Sequence, residues 1–196
     1  MTVVASKFER SPNDLYQTAA WATRALLGFF PVSRGETVWE PCAGNHHIVD
    51  VIREAGASTY ASDIATYDRP QDAIFDFLDV KAPLPIGHHA AIITNPPYGK
   101  GNHLAAKFAR LALARCAGMV CLLLPVKYDC RKTAADLFRD NPRFCAKIVL
   151  LDRIQWFPPG EGTEDHAWFV WMPTAFATHT PARLLYAVRA GNEVAL

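Results

Sequence analysis

Four consecutive residues, Asn95-Pro96-Pro97-Tyr98, combine a side-chain amide, main-chain carbonyls and an aromatic ring. Such a set can accept two hydrogen bonds from a planar amino group and stack a ring on it. The run before it, Ala90-Ala91-Ile92-Ile93-Thr94, is apolar and reads as a buried strand. Two prolines cannot donate to a sheet ladder, so the strand must stop there. Each proline fixes its own φ and biases the preceding residue towards extended geometry. The amide and the ring are thus held stiffly at a strand's carboxyl end, where open α/β sheets bind ligands. Alone, the tetrapeptide reads better as a strand-ending turn with a solvent tyrosine, because short motifs recur by chance.

A second constellation lies upstream, in Val38-Trp39-Glu40-Pro41-Cys42-Ala43-Gly44-Asn45-His46. Small residues at Ala43 and Gly44 let the backbone approach a ligand closely. The N-terminus of a following helix would favour a carboxylate. About 20 residues on, a second strand ends in Ala61-Ser62-Asp63, an acid placed to bind ribose hydroxyls. His46-His47 lacks acidic or cysteine partners nearby, so the pair reads as helix-entry histidines and no metal site is expected.

These groups need a scaffold of alternating strands and helices, which argues for an α/β fold with a mainly parallel sheet. The helices expected are Leu15 to Leu27, Ile48 to Ala55, Leu104 to Cys116 and Thr133 to Arg139. The strands expected are Glu36 to Glu40, Ser58 to Ala61, Ala73 to Phe77, Ala90 to Thr94, Met119 to Leu124, Ala146 to Leu151 and Ala167 to Met172. Met119 to Leu124 is almost wholly apolar, as a central strand would be. Leu184 to Val188 could add an edge strand. Asp152 to His166 reads as a loop rich in proline, glycine and acid.

The 196 residues suit one domain with one sizeable core. Hydrophobic residues form 51% and charged residues 20%, the balance of an ordinary globular protein. No apolar run is long enough to span a membrane, and Met1 to Arg10 has no signal-peptide core. Cys42, Cys116, Cys121, Cys130 and Cys145 are scattered and odd in number, which suggests reduced thiols and a cytoplasmic location. A net charge of +1 neither announces nor excludes a nucleic-acid partner.

Taken together, the motifs resemble those of S-adenosylmethionine-dependent amino-methyltransferases acting on adenine N6. Glu40-Pro41-Cys42-Ala43-Gly44 resembles that family's cofactor motif. Asp63, with Ile64 after it, matches the acid expected on the ribose. Asp76-Phe77-Leu78 is similar to the segment that contacts the cofactor's adenine. Asn95-Pro96-Pro97-Tyr98 matches the catalytic motif, with Asn95 also bordering the cofactor. Tyr16-Gln17-Thr18 resembles the N-terminal segment folded over methionine. The order of motifs is that of gamma-class DNA adenine methyltransferases. Two places after Gly44 the family's pattern has glycine, where this chain has His46; a side chain there would crowd the cofactor unless the turn differs.

The resemblance implies a Rossmann-like class I methyltransferase fold: a doubly wound, seven-stranded, mostly parallel sheet with a late antiparallel hairpin. The length departs from the family's DNA enzymes, which often carry a separate target-recognition domain: residues 1–196 are read as a single methyltransferase domain without one. S-adenosyl-L-methionine is the expected cofactor and nucleic acid the expected partner, DNA favoured over RNA. Tyr98 would stack on a flipped or unpaired base, and Trp156 or Phe157 on its opposite face. Packing of those two rings under the sheet edge is an equal alternative. Lys100, Lys107, Lys127, Arg131 and Lys132 could line the substrate face. A homodimer or a specificity partner would supply target choice. Other readings are methylation of a glutamine amide in protein, methylation of a base in RNA, and an inactive cofactor-binding or regulatory subunit.

Overall fold

The computed structural model describes residues 12–82, 91–99, 102–156, 162, 164–176 and 181–191. Eight strands form one sheet: β1 (Thr37–Glu40), β2 (Ser58–Asp63), β3 (Ala73–Ile74), β4 (Ala91–Thr94), β5 (Val120–Pro125), β6 (Phe144–Leu150), β7 (His166–Trp171) and β8 (Arg183–Ala187). Their spatial order is β3-β2-β1-β4-β5-β7-β6-β8. The strands from β3 to β5 are parallel, β7 runs antiparallel between β5 and β6, and β8 lies parallel to β6 at the edge. The sheet thus has one strand more than the seven expected. The extra one is the apolar stretch near residue 184, which finds main-chain partners along β6 from Ala146 to Leu150.

Side-chain alternation along the strands builds two cores from one sheet. Val38, Ile93, Leu123 and Trp168 face α1 (Ala20–Phe29) and α2 (His47–Glu54). Their chain neighbours Trp39, Ile92, Leu122 and Phe169 face α3 (His103–Arg115) and the turns after β5. β5 and β7 are buried along their whole length, as strands covered on both faces must be. The large indoles also satisfy their N–H groups: Trp168 donates to the Ala22 carbonyl at 2.7 Å and Trp171 to the Leu137 carbonyl at 2.7 Å. Arg143 closes the C-terminus of α3 by donating to the carbonyls of Leu113, Cys116 and Gly118.

Two expected helices differ. Residues 15–19 do not join α1, which starts at Ala20. Pro12–Asp14 forms a 3-10 turn in which Asn13 and Asp14 have φ of 57° and 53°, outside the right-handed helical region. The segment after it is extended and lies against the strand ends. Thr133 to Arg139 forms a 3-10 turn over Lys132–Ala134 followed by further turns. Leu137 bonds back to Ala134 and Phe138 to Ala135, three residues each. Ala134, Leu137 and Phe138 still bury one apolar face, but the stretch before Pro142 is too short to offset the cost of helix nucleation. Among the described residues no helix is long and apolar enough to cross a membrane.

Candidate active site

Parallel pairing brings the carboxyl ends of β1, β2 and β4 to one edge of the sheet, at Glu40, Asp63 and Thr94. Antiparallel β7 starts at that same edge, with His166 opposite Pro125 of β5. A cavity of about 620 Å³ opens there. Its walls include Tyr16, Gln17 and Thr18 from the extended N-terminal segment and Glu40 to Gly44 from the turn after β1. Asp63 and Ile64, then Asp76 and Phe77, complete one side, and Asn95 closes the other. Pro97 also borders the cavity.

The turn after β1 is shaped for close approach. Gly44 has φ of 47°, and a Cβ there would lie 2.9 Å from Leu15 Cδ1 and 3.1 Å from Gln17 Nε2. Its N–H donates to Asp63 Oδ2 at 2.9 Å, tying the first turn to the second strand. His46 is the left-handed residue before α2, with φ of 70°. Its side chain is buried away from the cavity, with Nε2 3.1 Å from Gln71 Oε1. Gln71 Nε2 in turn donates to the Gly44 carbonyl at 2.7 Å. The residue that departs from the family's pattern thus crowds nothing and braces the turn from behind. Gln71 carried no signal in the sequence, because it reaches Gly44 from 27 positions away.

Glu40 is 1% exposed. Its Oε1 accepts from Thr94 Oγ1 and from the Cys42 N–H at 3.2 Å, while Oε2 has no partner among the described residues. Burial raises its pKa well above the usual carboxylate value, against the pull of those two donors. Burial likewise raises Asp63, offset by the N–H groups of Gly44, Ile64 and Ala65. Gln17 Nε2 and Thr18 Oγ1 are buried without partners at the same wall. An unpaired acceptor and two unpaired polar groups facing one cavity suit a ligand that carries both cationic and acceptor groups.

The Asn95-Pro96-Pro97-Tyr98 loop is held from both sides. Asn95 Nδ2 donates to the Tyr16 carbonyl at 3.2 Å, and the Gly99 N–H donates to Asp14 Oδ2 at 2.9 Å. Because a carbonyl only accepts, the first bond assigns the amide orientation and turns Oδ1 away from Tyr16. Pro96 is buried beside it. Tyr98 does not border the cavity; its hydroxyl donates to the Leu123 carbonyl at 3.2 Å, and its ring lies on His166 with centroids 6.1 Å apart. Trp156 stands edge-on to both Tyr16 at 5.7 Å and His166 at 5.2 Å. Tyr98 and Trp156 thus belong to one ring set beside Asn95. Phe157 and Lys100 lie outside the described residues. Lys127 and Lys132 are exposed in the turns after β5, and Arg131 covers the Tyr128 ring at 5.0 Å. Among the described residues no group of three His, Cys, Asp or Glu side chains could hold a metal ion.

Asp14 and His166 were not singled out from the sequence. A histidine opening the otherwise apolar run Ala167-Trp168-Phe169-Val170-Trp171 was the available signal.

No protein-family model matches the chain, and no curated protein matches it. Solved structures do. A protein described as a class I S-adenosylmethionine-dependent methyltransferase from Listeria monocytogenes superposes with a TM-score of 0.65 at 12% identity, over 93% of this chain and 68% of that one. A proposed RNA methyltransferase from Pyrococcus horikoshii gives 0.64 at 14% identity, over 86% and 93%. A proposed modification subunit of a type I restriction enzyme from Vibrio vulnificus YJ016 gives 0.64 at 14% identity, over 89% of this chain. The chain spans 47% of that subunit's length. The strand order, the antiparallel β7 and these superpositions together make the fold that of the Rossmann-like class I methyltransferases.

Proposed function

We propose that the protein transfers a methyl group from S-adenosyl-L-methionine to the exocyclic N6 of adenine in nucleic acid, with DNA favoured. The observation that carries this reading is the Asn95 amide, fixed at the cavity by the Tyr16 carbonyl with Oδ1 left as an acceptor. An adenine amino nitrogen is a poor nucleophile because its lone pair is delocalised into the ring. Asn95 Oδ1 and the Pro96 carbonyl accept its two N–H bonds, which localises the lone pair and aims it into the cavity. Most of the acceleration then comes from orientation and electrostatic placement, with no covalent attachment to the protein. Tyr98, whose ring lies on His166, supplies the stacking surface, and Trp156 meets the same His166 edge-on. Flipping a base out of a duplex costs a few kcal/mol, partly offset by such stacking.

The cavity's polar groups fit the cofactor. In this reading Glu40 takes its ammonium group and the start of α2, next to the Ala43-Gly44 turn, takes its carboxylate. Asp63 is placed for the ribose, and Asp76 with Phe77 for the adenine. Phe77 is itself fixed by stacking on Phe108 at 4.1 Å and by Arg115, which covers its ring at 4.7 Å and donates to its carbonyl at 2.6 Å. When bound, S-adenosyl-L-methionine supplies an electrophilic methyl group on a sulfonium. Gln17 and Thr18 would cover its methionine part.

The neighbours named for restriction-modification and for RNA methylation support a nucleic-acid acceptor. A partner chain that chooses the target sequence belongs to the same reading. The test is labelled methyl transfer to DNA, RNA and protein, with Asn95→Ala as control. Transfer to adenine that Asn95→Ala abolishes supports the assignment; wild-type rates in folded Asn95→Ala protein refute it.

A further inference from the structure

The ring set beside Asn95 contains a histidine that neither the cofactor nor the amino-group chemistry uses. His166 is 2% exposed at the first position of β7. Its Nδ1 lies 3.0 Å from the Glu164 carbonyl, and since a carbonyl only accepts, Nδ1 carries the proton. Nε2 of the neutral ring is therefore a bare lone pair, and it is buried with no partner among the described residues. Burial drives the His166 pKa down to about 4, so the lone pair persists at neutral pH. The ring itself lies along Tyr98 and is met edge-on by Trp156, which also meets Tyr16. Buried polar atoms are rarely left unpaired, because the lost hydrogen bond to water is not replaced. An unpaired acceptor under Tyr98, the ring that would stack on the target, is one that a substrate donor would satisfy.

We infer that His166 is a substrate-binding residue whose Nε2 accepts a hydrogen bond from an O–H or N–H donor of the bound nucleotide, distinct from the amino group held by Asn95. The inference rests on the nucleic-acid reading above. The donor is either a ribose 2′-hydroxyl or an N–H on a base edge, since both offer the same chemistry to a neutral imidazole nitrogen. A substrate that stacks on Tyr98 brings the donor to the ring set that covers His166.

The test measures binding of single-stranded DNA and RNA oligonucleotides of one sequence, each containing adenine, in the presence of S-adenosylhomocysteine. His166→Phe keeps an aromatic ring but removes the acceptor; His166→Gln keeps an acceptor without the ring. The expected result is roughly 3- to 10-fold weaker oligonucleotide binding by the Phe variant, the size of one hydrogen bond, with recovery in the Gln variant. Affinity for S-adenosylhomocysteine should stay within about twofold in both, which a merely structural role of the ring would not predict. A loss confined to RNA assigns the donor to the 2′-hydroxyl, and an equal loss with DNA assigns it to a base edge. Wild-type oligonucleotide binding by His166→Phe, a Gln variant no better than Phe, or a parallel loss of S-adenosylhomocysteine affinity would each overturn the inference alone. Failure of the wild-type protein to bind any oligonucleotide would overturn the nucleic-acid reading and the inference together.

Discussion

The side-chain amide of Asn95 donates to the main-chain carbonyl of Tyr16, 79 residues earlier, at 3.2 Å. That single bond joins the catalytic-motif loop to the extended segment that covers the cavity. It orients Oδ1 as an acceptor and uses a carbonyl that a helix over residues 15–27 would have consumed. Asn95→Ala removes both functions. Its methyl-transfer kcat is expected to fall about 10²- to 10³-fold, as for loss of one preorganised hydrogen-bonding group. Steady-state kinetics and a thermal melt check this: the rate should fall while the folded state persists.

Glu40 presents a buried, unpaired Oε2 to the cavity. Glu40→Gln removes the charge with little change of shape. S-adenosylmethionine affinity should weaken roughly 10- to 100-fold, the range for a charge-assisted hydrogen bond. The ligand-free protein should be no less stable, because an isolated buried carboxylate is costly to ionise. Calorimetric titration and a melt of the same sample measure both.

Gly44 is the position at which a side chain has no room. Gly44→Ala combines a positive φ with a Cβ within 2.9 Å of Leu15 Cδ1. About 1 kcal/mol or more of destabilisation is expected, together with weaker cofactor binding as the covering segment shifts. His46→Gly gives the contrasting result. Its side chain does not border the cavity, so cofactor affinity should change by less than about threefold, although the similar methyltransferase motif has glycine there. Paired titrations of the two variants separate the roles.

His166 also makes stability depend on pH. Its pKa of about 4 in the fold lies below the ordinary 6.5, so between these values the unfolded chain binds more protons than the native one. Stability is therefore present above pH 6.5 and lost as pH falls towards 4. The loss attributable to this residue is on the order of 3 kcal/mol. The Glu164 carbonyl and Asp165 facing it act in the opposite direction but do not overcome burial. Urea melts from pH 7.5 to 4 should show a shallower decline for His166→Gln than for wild type.

The parts of the fold that were legible in the sequence are those set by local chemistry. The two prolines stopped β4, and the apolar residues from 119 to 124 marked a strand covered on both faces. Gly56 and Gly118 bounded helices because the chain turns there. What was hidden depends on partners distant in sequence. Tyr16 reads as helix-compatible until Asn95 takes its carbonyl, and His46 reads as an obstruction until Gln71 draws its ring backwards. His166 is an unremarked loop end until β5 pairing carries it to the same edge as Asn95. The edge strand expected over Leu184 to Val188 is present as β8, one residue earlier, with its partner β6 supplying the register.

The central claim is an Asn95-centred transfer of a methyl group to an adenine amino group. The most direct measurement is incubation with labelled S-adenosyl-L-methionine and mixed DNA, RNA and protein, followed by digestion and identification of the labelled product. The account predicts N6-methyladenine, formed by wild-type protein and lost in Asn95→Ala. Label recovered only on a glutamine amide, or equal N6-methyladenine from the Asn95→Ala protein, would contradict it.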